Sequence, residues 1–129
     1  MLKIIACDDD VAFLDRLHRM IDRWSIETGT AVDVALVTRG EDLLARHATS
    51  RADIILLDMI MPHQGGHSTF YKLKALDPDV CVLLSSGFVS HDEVDDLLAN
   101  GAAGFLPKPH RIATMAAEIR RILDQKKEK

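Results

Sequence analysis

The 129-residue chain reads as an α/β protein of doubly wound form, a (βα)5 three-layer sandwich around a parallel five-stranded sheet. Three observations carry that reading. Short apolar runs alternate with helix-period segments from one end of the chain to the other. The runs are continuous rather than alternately apolar and polar, as strands covered on both faces are. The connections are too short for a second domain, and right-handed helical crossovers between parallel strands then leave one sheet with helices on both sides.

The five runs are LKIIAC (2–7), AVDVALV (31–37), DIILL (53–57), VCVLL (80–84) and GFLP (104–107). After the first, Leu14, Leu17, Met20, Ile21 and Trp24 fall on one helical stripe, and Asp10 is placed to cap that helix. A short second helix is expected from Gly40 to Ala48, and a third from Gly66 to Leu76, stopped by Asp77 and Pro78. Ser90 and Glu93 form a capping-box pattern ahead of Val94, Leu97 and Leu98, and Gly101 supplies the stop. Asp92, Glu93, Asp95 and Asp96 sit toward the positive end of that helix dipole. The last helix carries Ile112, Met115, Ala116, Ile119, Ile122 and Leu123 at three- and four-residue steps. Pro107, inside the fifth run, confines that strand to a sheet edge.

A chain with 47% hydrophobic and 28% charged residues suits one globular domain, here expected over 1–125 with a charged tail at 126–129. A net charge of -4 with no basic stripe argues against nucleic-acid binding. Met1 leads at once into a strand and Asp58 interrupts the longest apolar run, so no signal peptide or membrane span is expected, and the location is read as cytoplasmic. Cys7 and Cys81 fall in apolar runs without CxxC or Cys/His spacing, which makes them small buried hydrophobes rather than a zinc or redox pair. His63 and His67 flank two glycines, lack a third ligand, and read as loop residues near an incoming partner.

In such sheets, ligands bind outside the carboxyl ends of the strands. The residues just past those ends are Asp8, Asp9 and Asp10; Asp58; Ser85 and Ser86; and Lys108. Two carboxylates about 4 Å apart repel by roughly 4 kcal/mol at an effective dielectric near 20, so the acidic cluster calls for an offset. A hard divalent cation, Mg2+, supplies one. If Asp9 and Asp58 hold the metal, one Asp58 oxygen stays free to accept a phosphoryl group. Mg2+, Lys108 and the Ser85 hydroxyl would neutralise the charge on that group.

These motifs together resemble the receiver domain of two-component response regulators: the DD pair at Asp8 and Asp9, LLDMIMPHQGG around Asp58, VLLSSG around Ser85, and GAAGFLPKP ending in Lys108 and Pro109. The resemblance covers essentially the whole chain. It implies a flavodoxin-like strand order 2-1-3-4-5, with Asp58 as phosphoacceptor from a phosphohistidine on a sensor kinase or histidine phosphotransfer protein. It further implies Mg2+ held by Asp9, Asp58 and the Ile60 backbone carbonyl, with Asp8 nearby or acting through water. Lys108 would pair with the phosphoryl group and Asp58, and the bond before Pro109 would be cis. Ser85 and Phe105 match the switch pair whose movement alters the surface of the fourth helix, fifth strand and fifth helix, where a downstream protein target would dock. By this likeness the chain signals rather than acts as an enzyme. Ile60 and Gly87 stand at the variable positions that can place an attacking water; both lack a polar side chain, which implies slow self-dephosphorylation.

Three other readings compete. An aspartate-nucleophile phosphatase would want a second acid two residues after Asp58, where Ile60 stands. A serine hydrolase would want a glycine two residues before its nucleophile, which LLSSGF lacks. A non-phosphorylated docking module would have no need of the intact set Asp9, Asp58, Ser85 and Lys108.

Overall fold

The structure, a computed structural model, describes residues 1–59, 65–87, 91–108 and 112–127. Its elements are β1 (Leu2–Cys7), α1 (Val11–Thr28), β2 (Val32–Val37), α2 (Gly40–Thr49), β3 (Ile54–Asp58), α3 (Gly66–Leu76), β4 (Val82–Ser86), α4 (His91–Ala99), β5 (Gly104–Pro107) and α5 (Ile112–Lys127). The sheet order is β2-β1-β3-β4-β5, parallel throughout, the order implied above. Strands β1, β3, β4 and β5 are therefore neighbours, and their carboxyl ends share one rim.

Each face of the sheet has its own core. On one, Ile4, Ala6, Leu56 and Leu83 pack with the α1 stripe Leu14, Leu17, Ile21 and Trp24 and with Met115, Ile119 and Ile122 of α5. On the other, Ile5, Ile55, Leu57 and Leu84 pack with Leu43 of α2, Phe70 and Leu73 of α3, and Leu97 of α4. Burying β3 and β4 on both faces explains why their runs carry no polar alternation. Strand β2 departs from the expected two-sided cover: Asp33 and Leu36 are exposed, because β2 is an edge strand. Pro107 lies exposed at the end of the other edge strand, where its missing N–H costs no ladder bond.

Asp10 is the N-cap of α1, its carboxylate accepting the Phe13 N–H at 3.1 Å, and Gly29 closes the helix at φ +68°. The fourth strand starts at Val82 rather than Val80, which leaves Cys81 half-buried just before it, its carbonyl accepting the Ile55 N–H at 2.9 Å, whereas Cys7 is buried as expected. His67 belongs to the first turn of α3 rather than to a loop, and stacks on Tyr71 one turn later. Of the α4 stripe only Leu97 is fully buried; Leu98 is exposed. Ser90 of the expected capping box lies outside the described residues, as do Ile60, Pro62, His63, Pro109 and His110. No helix among the described residues is long and apolar enough to cross a membrane.

One polar pair is buried far from the carboxyl rim. The Ala52 N–H donates to His47 Nδ1 at 3.1 Å, so Nε2 carries the proton and donates to Asp77 at 2.9 Å. That contact ties the end of α2 to the turn between α3 and β4, which the Asp77 carboxylate also shapes by accepting the Asp79 N–H.

Candidate functional site

The carboxyl rim brings together Asp8, Asp9, Asp58, Ser85 and Lys108. Asp58 is the last paired residue of β3, directly opposite Ser85 in the β3–β4 register, so both lie within the strands rather than just past them. Asp58 is 5% exposed and Ser85 4%, while Asp8 at 2% is sealed more deeply than either. Asp9 is exposed. The Met59 N–H donates to the Ser85 carbonyl at 2.9 Å, extending the β3–β4 pairing one residue beyond Asp58 and fixing its backbone.

Asp8 divides its two oxygens between two tasks. Oδ1 accepts the Asp10 N–H at 2.9 Å, folding the chain into the start of α1; Oδ2 meets the Lys108 ammonium at 2.5 Å. Lys108 also lies 3.5 Å from Asp58 Oδ1. Its own N–H donates to the Ser86 carbonyl at 3.0 Å, holding the segment after β5 against β4. Burial alone would lower the Lys108 pKa, but the hydrogen bond and charge of Asp8, together with the charge of Asp58, outweigh it and raise the group above an ordinary lysine. The ammonium is therefore present throughout the neutral range.

One oxygen from each of Asp8, Asp9 and Asp58 can lie within 4.8 Å of the others. Among the described residues, Lys108 supplies a single positive charge against those three carboxylates, a balance that suits a further cation. Its donors are hard oxygens, the set that suits Mg2+ or Ca2+ rather than a thiophilic metal. Cys7, which ends β1 beside Asp8, is excluded from that chemistry: burial first, then the Asp8 and Asp58 charges, push its thiol up to about 12.

Gly66 accounts for the close approach of α3 to Asp58. Its N–H donates to the Met59 carbonyl at 3.0 Å, and a Cβ there would lie 2.6 Å from Met59 Cα and press on the Asp58 carbonyl. Only a glycine lets the start of α3 rest on the end of β3. Phe105, opposite Leu84 in the β4–β5 register, is half-buried against the core on the α3 and α4 side. Phe13, which the sequence pattern does not single out, brings its ring to 4.3 Å from the Lys108 ammonium.

The response regulator receiver domain family model matches residues 4–120. The chain belongs to that family. Among curated relatives, the transcriptional regulatory protein PrrA of Mycobacterium tuberculosis is 33% identical over 121 residues, covering 94% of this chain and 49% of PrrA. ZraR of Salmonella typhimurium is 31% identical over 84% of this chain and 23% of its own length. The receiver thus spans half or less of these relatives. Among solved structures, a CheY-like receiver domain protein from Methanospirillum hungatei superposes with a TM-score of 0.88 at 22% identity, covering 100% of this chain and 99% of its own. CheY of Borrelia burgdorferi, in a CheX-CheY-BeF3-Mg2+ complex, gives 0.83 at 21% identity, over 95% of this chain and 89% of its own. The receiver fold and its place in two-component signalling follow from these matches, and receiver domains signal rather than act as conventional enzymes.

Proposed function

We propose that this receiver accepts a phosphoryl group on Asp58 from phosphohistidine, with Mg2+ held by Asp9, Asp58 and the Ile60 carbonyl, and Asp8 alongside. The observation that carries this is a buried carboxylate, Asp58, sharing one rim with two further carboxylates and an ammonium 3.5 Å away. Phosphoryl transfer requires chiefly positioning and neutralisation of charge on the equatorial oxygens. When bound, Mg2+ supplies two positive charges to those oxygens. Asp58 offers an oxygen as nucleophile, and the bond it forms to phosphorus replaces the phosphorus–nitrogen bond to the donor imidazole. Lys108 offers the developing charge a donor from the β5 side. The Ser85 hydroxyl, opposite Asp58 in the β3–β4 register, offers a donor from the β4 side.

The same reading extends to output. Movement of Ser85 toward a phosphoryl group would vacate space beside β5, and Phe105, only half-buried, would turn inward. The surface of α4, β5 and α5 would then change for a downstream protein. That the Borrelia burgdorferi neighbour forms its complex with BeF3 and Mg2+, and with CheX, supports this view of the rim and of protein-level output. A sensor kinase or histidine phosphotransfer protein is the upstream partner by the same reasoning, and the cytoplasm is the compartment where both meet.

The test is Mg2+-dependent labelling by acetyl phosphate, compared between wild type and Asp58→Asn. Label that needs both Mg2+ and Asp58 supports the assignment. Label that survives Asp58→Asn moves the acceptor elsewhere, and a wild type that takes no label reduces the chain to a docking module.

A further inference from the structure

The contact between Phe13 and Lys108 points to a function for α1 that the acidic rim does not by itself demand. Lys108 is gripped from two directions. Asp8 and Asp58 hold its ammonium by charge at 2.5 and 3.5 Å, and the Phe13 ring lies 4.3 Å from it. The ring is itself fixed. Its backbone N–H is bound by the Asp10 cap, and its side chain packs against the core shared by α1 and α5.

These two grips respond differently to a second cation. A dication on the carboxylates takes up the charge that holds the ammonium and repels the ammonium as well. The attraction of the ring arises from its quadrupole and does not depend on the carboxylates. Lys108 is 23% exposed and follows an edge strand of only four residues, so water is open to it once the carboxylates release it. We propose that Phe13 is a positioning residue for phosphoryl transfer, its ring keeping the Lys108 ammonium turned toward Asp58 when a divalent cation occupies the rim. The inference rests on the phosphoacceptor reading above and adds a residue to it.

The experiment compares Phe13→Leu, Phe13→Tyr and Phe13→Trp. Leu keeps an apolar side chain of similar reach and removes the π face; Tyr and Trp keep the face, and a half-exposed site gives their polar atoms access to water. With acetyl phosphate and Mg2+, Phe13→Leu is expected to label about three- to tenfold more slowly, with Tyr and Trp within about twofold of wild type. In a Lys108→Met background the same Leu substitution should have no further effect. A second readout is independent of activity: the ε-methylene proton resonances of Lys108, shifted upfield by the ring in wild type with and without Mg2+, should return to ordinary lysine positions in Phe13→Leu. Wild-type rates for Phe13→Leu, failure of Tyr and Trp to restore the rate, an undiminished effect in the Lys108→Met background, or unmoved Lys108 resonances would each overturn the proposal. A wild type that takes no label overturns it together with the phosphoacceptor reading, whereas normal wild-type labelling matched by Phe13→Leu overturns this inference alone.

Discussion

Replacing Lys108 by Met withdraws the ammonium that meets Asp8 at 2.5 Å and Asp58 at 3.5 Å. At an effective dielectric near 20 those attractions amount to about 7 and about 5 kcal/mol before the cost of desolvating the ammonium is set against them. Asp8 and Asp58 are both almost wholly buried, so the variant withdraws the Lys108 charge from two sealed carboxylates. Breaking such a pair typically costs 3–5 kcal/mol, and the partial exposure of Lys108 places this case near the lower end, about 3 kcal/mol. For a chain of 129 residues that corresponds to a fall in Tm of about 11 °C. The assay is thermal unfolding in chelator and in millimolar Mg2+, with the metal affinity followed by calorimetry. Mg2+ should recover more stability in Lys108→Met than in wild type, because no ammonium repels it. A dication and an ammonium about 5 Å apart repel by roughly 1.7 kcal/mol even at the dielectric of water, so the Kd for Mg2+ should tighten about tenfold or more. The pH dependence has a definite sign. The Lys108 pKa is raised in the folded state, so its stabilisation is complete below the ordinary lysine value and fades only as pH climbs through the higher folded one. The gap between wild type and variant should be flat from neutrality to about pH 10 and narrow above it. An unchanged Tm in chelator, or an unchanged Mg2+ affinity, would refute the charge balance assigned to this rim.

Gly66→Ala should destabilise the domain by about 2 kcal/mol or more and slow labelling, since its Cβ meets backbone at Asp58 and Met59; Gly65→Ala, whose Cβ would come no nearer than 3.9 Å to the Met59 carbonyl, should be tolerated, as chemical denaturation of the pair will reveal. Asp77, whose hydrogen bond from His47 lowers its pKa against the opposing effect of burial, stabilises the fold above the ordinary aspartate range and loses that contribution as pH falls through its lower folded value. The Tm difference between wild type and Asp77→Asn should accordingly hold steady from about pH 5 to 7 and shrink below about pH 4; a gap that widens in acid would reverse the argument. Phosphorylated wild type should lose its label slowly, over minutes or longer, and Gly87→Glu should shorten that lifetime, because among the described residues a Cβ at Gly87 meets nothing nearer than Lys108 Cβ at 4.0 Å and a carboxylate there would orient water. Radiolabel decay in Mg2+ measures both, and a wild-type lifetime of seconds would contradict the first.

The fold was readable because its signal is local. Buried parallel strands write themselves as unbroken apolar runs, and the α1 stripe Leu14, Leu17, Ile21 and Trp24 is buried as its spacing requires. The boundaries slipped where burial and hydrogen bonding part company. Val80 is buried and apolar, yet pairing in β4 starts at Val82; β2 is apolar in sequence, yet an edge in space. The members of the site were readable for a topological reason, since parallel strands deliver whatever follows them to one rim. Contacts between side chains from distant parts of the chain left no such trace. The ring of Phe13 against Lys108, the His47–Asp77 pair and the need for a bare backbone at Gly66 all depend on approaches that no spacing along one element encodes.

The division of labour between Asp8 and Asp9 follows from how β1 ends. The strand buries Cys7, and Asp8 remains buried after it, with one oxygen turned back on the Asp10 N–H and the other on Lys108. Neither oxygen of Asp8 is idle, so the turn into α1 and the position of the ammonium are set by one carboxylate. Asp9 is carried outward by that turn into solvent, and yet an oxygen of it can lie within 4.8 Å of both other carboxylates. An exposed carboxylate can exchange its hydration for a cation at little cost, whereas Asp8, with one oxygen on the Asp10 N–H and the other on Lys108, would first have to give up a contact. Three adjacent aspartates at the end of one strand therefore do three different things: Asp8 anchors Lys108, Asp9 faces the solvent from which a cation would arrive, and Asp10 starts the helix that holds Phe13 against the same lysine.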